Sequence, residues 1–416
     1  MRKVFILFLG IIFSSILFAQ TITVLTNAVT VHDGKTIYTI AEDMLKKDFP
    51  NVKVQYQIID VTAGSTMTMD AQLAAGTPPN VYLDSSVRAG KYMDVNYALD
   101  LSKYIRDLSK YNKGALDQYY RSGKLLGLPQ YGGAQGICVN LDIMKDIGFT
   151  VKWDWTIDDF MKMAQLVKDK YQGKKFATML FAKDQSGDYL LHNWFEAFGA
   201  HYYVNNDHDN AVIAKTGGAK VYAFYQTLIK NGYVPANAAT LNDDDYCLQW
   251  LSGNLAATTF FPNWTAGYLK TGIDQGIIKQ AFNFTFVPFP RGPGVAKVPT
   301  YINNGVYVVY NSKDDNLNKI AARFVEYANG LAAQDLVVRM ESCISNRSDV
   351  PASIDPRVAE IAKIVAQNGV YDAGLTDPRF TERRSFQFPI LQKLFNFQIS
   401  PDDAIKEYEA KLSSVK

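Results

Sequence analysis

Hydrophobicity along the chain sets its first nineteen residues apart. Arg2 and Lys3 precede an unbroken run of apolar and small residues from Val4 to Leu17, and Phe18-Ala19-Gln20 follow. This order predicts a secretory signal cleaved after Ala19. An uncleaved N-terminal anchor is the alternative, because Leu17 is bulkier than the residue usually found three positions before a cut. The run falls short of the roughly 20 residues that a bilayer-spanning helix needs. No later segment approaches that length without charges. Gln20, not Cys, would begin the mature chain, which removes the usual attachment point for a lipid. The expectation is a protein exported by a cleavable signal to the periplasm or the extracellular space.

Beyond Gln20 the pattern alternates between the two periods of regular structure. Thr21 to Thr26 alternates as a short strand, and Ile37, Ile40, Ala41, Met44 and Leu45 recur at helical spacing in a segment that ends before Pro50. Val52, Val54, Tyr56 and Ile58 alternate as a second strand, so the opening reads as a βαβ unit with a parallel pair. A helix over about 67–75 is stopped by Gly76 and the Pro78-Pro79 pair. Val81-Tyr82-Leu83 then forms a strand that delivers Asp84-Ser85-Ser86 at its carboxyl end, where open α/β sheets place ligands. Trp155-Thr156-Ile157-Asp158-Asp159-Phe160 reads as a helix start, with Thr156 as N-cap and Trp155 packing on Phe160. Helical spacing returns at Val221 to Leu228, at Ile320 to Ala328 and from Pro401, and strands are expected at 283–287 and 306–310. There is no internal repeat and no long linker.

Composition narrows the function classes. At 416 residues the chain exceeds what one core comfortably serves, so two lobes are expected. Loss of Arg2 and Lys3 with the signal would bring the basic residues level with the 41 acidic ones. A neutral surface without Lys/Arg blocks offers no electrostatic footprint for nucleic acid or an anionic membrane. Cys138, Cys247 and Cys343 are too few and too scattered for a disulfide framework; buried thiols are the first reading and a single bridge the second. The 25 tyrosines suit polar ring ligands such as carbohydrates without identifying one.

Several motifs imitate chemistry they lack. Gly34-Lys35-Thr36 looks like the end of a phosphate-binding loop, but Val29 stands where the first glycine is required. His32, His192, His201 and His208 show no metal-ligand spacing, and no G-x-S-x-G elbow exposes a nucleophile. Asp243-Asp244-Asp245 and Asp402-Asp403 sit at helix starts, where acids favour the exposed amides over glycosidase chemistry. Tyr119-Tyr120 and Tyr202-Tyr203 are read as core and surface tyrosines, not ferric-iron ligands.

Taken in order, several segments resemble one family. Gly76-Thr77-Pro78-Pro79-Asn80-Val81 is similar to a Gly-x-x-Pro-Asp-Val motif, with Asn80 in place of the usual Asp, and Gly123 to Pro129 to a Gly-Lys-x-x-Gly-x-Pro strand entry. Val139-Asn140-Leu141-Asp142-Ile143-Met144 resembles Tyr-Asn-x-Asp-Leu, and Trp155 to Phe160 a Thr-Trp-Asp-Glu-Phe helix start. Phe261 to Ala266 resembles an Asn-Gly-x-Trp segment, Val287 to Pro290 a Val-x-Pro-x-Pro crossing, and Pro401 to Ile405 a terminal Ser-Pro-Glu-Glu-Ala-Leu. Together they resemble the extracellular solute-binding proteins of ABC importers, in the sugar-binding branch that includes maltose- and trehalose-type receptors.

The resemblance implies an α/β, two-lobed periplasmic-binding-protein fold, with hinge crossings and a central ligand cleft. Lobe one would comprise 20–130 and 288–341, and lobe two 131–287 and 342–416. It further implies a non-catalytic receptor that takes a sugar or oligosaccharide by hinge closure and passes it to membrane permease subunits. Such a receptor would act as a monomer and need no cofactor or metal. An exported glycan-processing enzyme and a sugar sensor feeding a signalling partner are the alternatives. The ligand-binding candidates are Trp264 as stacking platform, Asp84, Ser86 and Arg88 at a strand end, and Asn27, His32 and Asp33 after the first strand. Tyr131 and Gln135 flank the first crossing, and Trp194, Asn303, Asn304 and Arg347 complete the set.

Overall fold

The computed structural model describes residues 20–27, 34–59, 64–93, 96–184, 190–204, 207–259, 272–273, 276, 281–340, 343–351, 356–371, 373–375 and 377–415. The export signal expected over 1–19 lies outside them.

The opening is the expected βαβ unit. Strand β1 (Thr21–Asn27) runs parallel to β2 (Lys53–Ile59), and the helix Ile37–Asp48 connects them. That helix begins at Thr36, whose hydroxyl accepts the Thr39 N–H while the Thr39 hydroxyl accepts the Thr36 N–H. The Gly-Lys-Thr segment thus caps a helix. Strand β3 (Val81–Ser85) lies parallel to β1, and Asn80 fixes its entry by exchanging hydrogen bonds with Thr23. The helix before it starts at Gly64, earlier than the sequence suggested, and is followed by Gly76 at φ +69°.

After a short hairpin of β4 (Tyr120–Arg121) and β5 (Lys124–Leu125), strand β6 (Leu128–Ala134) joins the first sheet. Strand β7 (Ile137–Asn140) belongs to a second sheet, between β8 (Ala257–Thr258) and β9 (Phe284–Val287). The return strand β10 (Ile302–Val309) and β11 (Ile344–Ser345) complete the first sheet, ordered β11-β6-β10-β3-β1-β2. β10 starts four residues before the expected Val306 because its early part pairs antiparallel with β6, past an irregularity between Asn304 and Val306. Gly305 sits at that irregularity, where a Cβ would lie 2.7 Å from the Gln130 amide oxygen.

Two sheets organise two large cores. One packs Ile22, Val24, Leu25, Tyr82, Leu128, Tyr307 and Phe324 around the first sheet. The other packs Val139, Trp155, Phe160, Trp194, Phe224 and Leu394 around β7, and Phe289 and Val298 of the return run join it. A third cluster, with Val87, Ala134, Cys138, Tyr301 and Phe380, draws residues from both sequence halves. Each large aliphatic or phenylalanine side chain among them contributes about 1.5–3 kcal/mol on leaving water, before ordering costs. The Trp155–Phe160 staple forms as read, with ring centres 5.8 Å apart, and the Trp155 indole donates to the Pro288 carbonyl. The sequence did not foresee Pro389 inside the helix Phe380–Phe395.

Candidate functional site

The chain passes between the sheets at Gln135-Gly136, leaving β6 for β7, and again between β9 and β10. These passages are tied by one hydroxyl. Thr300 Oγ1 donates to the Gln135 carbonyl at 2.7 Å and accepts the Gln135 N–H at 3.0 Å. The Asn193 amide reaches the same oxygen at 3.4 Å. Thr300 also pairs through its backbone, donating to the Gly369 carbonyl and accepting from Tyr371 N–H. The Tyr371 hydroxyl donates to Asn193 at 2.6 Å and lies 3.4 Å from His192 Nδ1, whose ring stacks on Tyr202 at 3.6 Å.

Gln135 itself is fully buried. Its amide nitrogen donates to the Thr259 carbonyl at 2.7 Å and the Leu190 carbonyl at 3.3 Å, while its amide oxygen meets no donor among the described residues. One side chain thereby ties the Leu190 and Thr259 backbone to the crossing. Gly136 makes a close fit beside it: a Cβ there would stand 2.9 Å from Ile364 Cδ1 and 3.2 Å from the Val287 carbonyl oxygen, so those neighbours would have to give way.

A polar group gathers where β3 ends. The Asp84 carboxylate accepts from the Tyr82 hydroxyl at 2.8 Å and the Ser85 N–H at 2.7 Å. It also accepts from Arg88 Nε at 2.8 Å and Nη2 at 2.5 Å. With its side chain fully buried, Asp84 spends its acceptor capacity on the protein, so the reading of Asp84 as a direct acceptor from a ligand gives way to one in which it holds Arg88. Arg88 keeps 22% of its side chain in solvent. The Ser86 hydroxyl donates to Asn303 Oδ1 at 3.1 Å, which links this end of β3 to β10.

The other candidates divide. Trp194 is 2% exposed with Phe160 and Phe289 edge-on to its ring and Phe224 packed beside it, so it is a core side chain with no face for a ligand. Arg347 is drawn away by a two-point bond to Asp349 and lies over the Tyr111 ring. Tyr131 is half-buried on β6 beside Ser345. Asn304 lies opposite Gly132, and Asn27 ends β1 opposite Ile59. His32, Asp33 and Trp264 lie outside the described residues. Thr300, Asn193 and Tyr371 were not singled out from the sequence, where they carry no motif, and His192 was weighed there only as a metal ligand.

The imitative motifs resolve structurally. Asp243, Asp244 and Asp245 form the first turn of the helix Asp243–Leu251, and Asp402 and Asp403 that of Pro401–Ser414. Burial raises the Tyr202 phenol well above its ordinary value, which opposes the phenolate that iron binding requires. Among the described residues no cluster of His, Cys, Asp or Glu could hold a metal ion. Cys138 and Cys343 are buried thiols. No helix of the described residues is long and apolar enough to cross a membrane.

Residues 28–335 match the family model described as bacterial extracellular solute-binding protein. No curated protein matches the chain. Among solved structures, a chitin oligosaccharide binding protein superposes with a TM-score of 0.75 at 18% identity, covering 95% of this chain and 98% of that one. A maltose-bound T. maritima protein gives 0.75 at 16% identity, covering 96% and 100%. An ABC substrate-binding protein from Listeria monocytogenes in complex with cycloalternan gives 0.72 at 15% identity, covering 95% and 98%. At such identities the likeness establishes the fold: the α/β periplasmic-binding-protein architecture over nearly the full length.

Proposed function

The chain belongs to the bacterial extracellular solute-binding proteins, and from that premise we propose that it captures a sugar or oligosaccharide and delivers it to the membrane subunits of an ABC importer. The observation that carries this reading is the passage of two strand connections between two sheets, beside a polar strand end. That arrangement suits a ligand enclosed by hinge closure, in which excluded water strengthens each hydrogen bond to a hydroxyl. The carbohydrate ligands named for three structural neighbours support the choice of ligand class.

In this reading the lobes follow the sheets: lobe one keeps β6 to Ala134 together with β10 and β11, lobe two begins past the Gln135-Gly136 crossing, and the run from Phe289 to Val298 rests against lobe two, so the boundaries expected at 131, 288 and 342 shift. Trp264 supplies an aromatic face for the sugar's C–H surface, while Arg88 and Asn303 face its hydroxyls from lobe one; Ser86, expected to meet the ligand, is 1% exposed and instead holds Asn303. Export by the N-terminal signal places the mature protein outside the cytoplasmic membrane.

A thermal-shift screen of the mature protein across mono- and oligosaccharides tests the proposal. A binding sugar raises the melting temperature in a concentration-dependent way and is recovered unchanged. Trp264→Ala then weakens that sugar by about 1–3 kcal/mol in calorimetry. A panel without any stabilising sugar, or conversion of the sugar into products, rejects the reading.

A further inference from the structure

We propose that Thr300 is a positioning residue for solute capture, a single hydroxyl that joins the return crossing to Gln135 and, through it, to the Leu190 and Thr259 backbone of lobe two. The inference rests on the receptor reading for its binding readout only.

Thr300 is 1% exposed and lies on the return crossing. With its backbone paired to Gly369 and Tyr371, its Oγ1 makes the link to the other crossing: it meets both the N–H and the carbonyl of Gln135, 165 positions away. Gln135 is the residue whose amide grips the Leu190 and Thr259 carbonyls, 55 and 124 positions away. The same hydroxyl takes the Asn193 amide, and Asn193 accepts from Tyr371. Displacing Oγ1 therefore releases Gln135, and with it the Leu190 and Thr259 backbone, by a route that leaves both large cores intact. Valine matches threonine in shape and removes the hydroxyl; serine restores it. A buried group deprived of its partner is costly, so the effect of valine concentrates at these bonds.

Hydrogen exchange on the unliganded mature protein is the test, because it needs no sugar. In Thr300→Val, amides at 190–193 and 258–259 exchange about tenfold faster than in the parent, whereas those of β1 and β2 do not change. Thr300→Ser restores the parental rates to within about twofold. Affinity for the sugar that most stabilises the parent falls about tenfold in the valine variant and is recovered by serine. Parental exchange rates in the valine variant, or a serine variant no better than valine, overturn the inference. If the valine variant does not fold, Asn193→Ala must still speed exchange at 190–193, and unchanged rates there overturn it equally. A parent that binds no sugar rejects the receptor reading alone, and the exchange comparison stands on its own.

Discussion

Asp84 lies at the end of β3 with its side chain fully buried, and Asp377 lies just before the helix Phe380–Phe395 with 3% of its side chain exposed. Both carboxylates are held by arginines, but the settings differ. Asp84 binds Arg88 four residues on, whose side chain stays 22% exposed at the edge of the candidate site. Asp377 receives Arg379 at 2.7 Å, His208 at 3.0 Å and Arg383 at 3.4 Å, and Arg383 is only 2% exposed. Through those partners it gathers distant chain: Arg383 also donates to the His208 and Val415 carbonyls, and Arg379 binds Asp209. The first pair aims a side chain outward. The second fastens the C-terminal helix to the body of its lobe.

The largest effect should come from breaking the second. Asp377→Ala strands Arg383 in a nearly dry site and is expected to cost about 3–5 kcal/mol in urea unfolding, with sugar affinity unchanged in the protein that remains folded. Acid should sharpen the same contrast. Burial alone would push the Asp377 carboxyl up, but bonds from His208 and Arg379 and the Arg383 charge outweigh it and hold it well below the usual range. A depressed carboxyl stabilises fully above the ordinary aspartate range of about pH 4, and that contribution is lost as pH falls through the lower folded value. The stability gap between the parent and Asp377→Asn should therefore narrow on acidification below about pH 4. A gap that widens there contradicts the assignment.

At the other carboxylate the readout should switch from stability to binding. Asp84→Asn keeps the shape and the Tyr82 bond but weakens the hold on Arg88, which can rehydrate because it already meets solvent. Sugar affinity is expected to fall about tenfold, near 1.4 kcal/mol, at little cost in unfolding free energy. If stability falls instead and affinity does not, Arg88 is a structural ion pair and the contrast with Asp377 disappears.

What the sequence disclosed follows from the same division between local and distant contacts. The βαβ opening, the cap at Thr156, the Trp155 staple and the acidic first turns were readable because their partners lie within a few residues. A polar strand end at Asp84 was readable too, but not that the protein's own donors would fill the carboxylate. Trp194 shows the same blindness: five successive helical residues, Asn193 to Ala197, are all buried, and so short a segment has no periodic pattern to declare which way its tryptophan points. Thr300 and Gln135, or Asn193 and Tyr371 at 178 positions apart, meet only in three dimensions, and no spacing rule joins them.

The smallest effect expected is also the most legible one. Thr156→Ala removes the hydroxyl that accepts the Asp159 N–H, while Asp159 returns a bond to the Thr156 N–H, so half of a reciprocal cap is lost. Loss of such a cap costs about 1 kcal/mol, because the freed amides sit at a helix end that water can reach. Trp155 should hold its place, since its indole bond to Pro288 and its contact with Phe160 do not use the cap. Sugar affinity should match the parent in calorimetry, and the urea midpoint should move only slightly. A loss approaching that of Asp377→Ala would mean that Thr156 supports the lobe through its neighbours, among them Arg291, whose carbonyl accepts the Ile157 N–H. Local, exposed interactions announce themselves in sequence and cost little to remove; buried, long-range ones do neither.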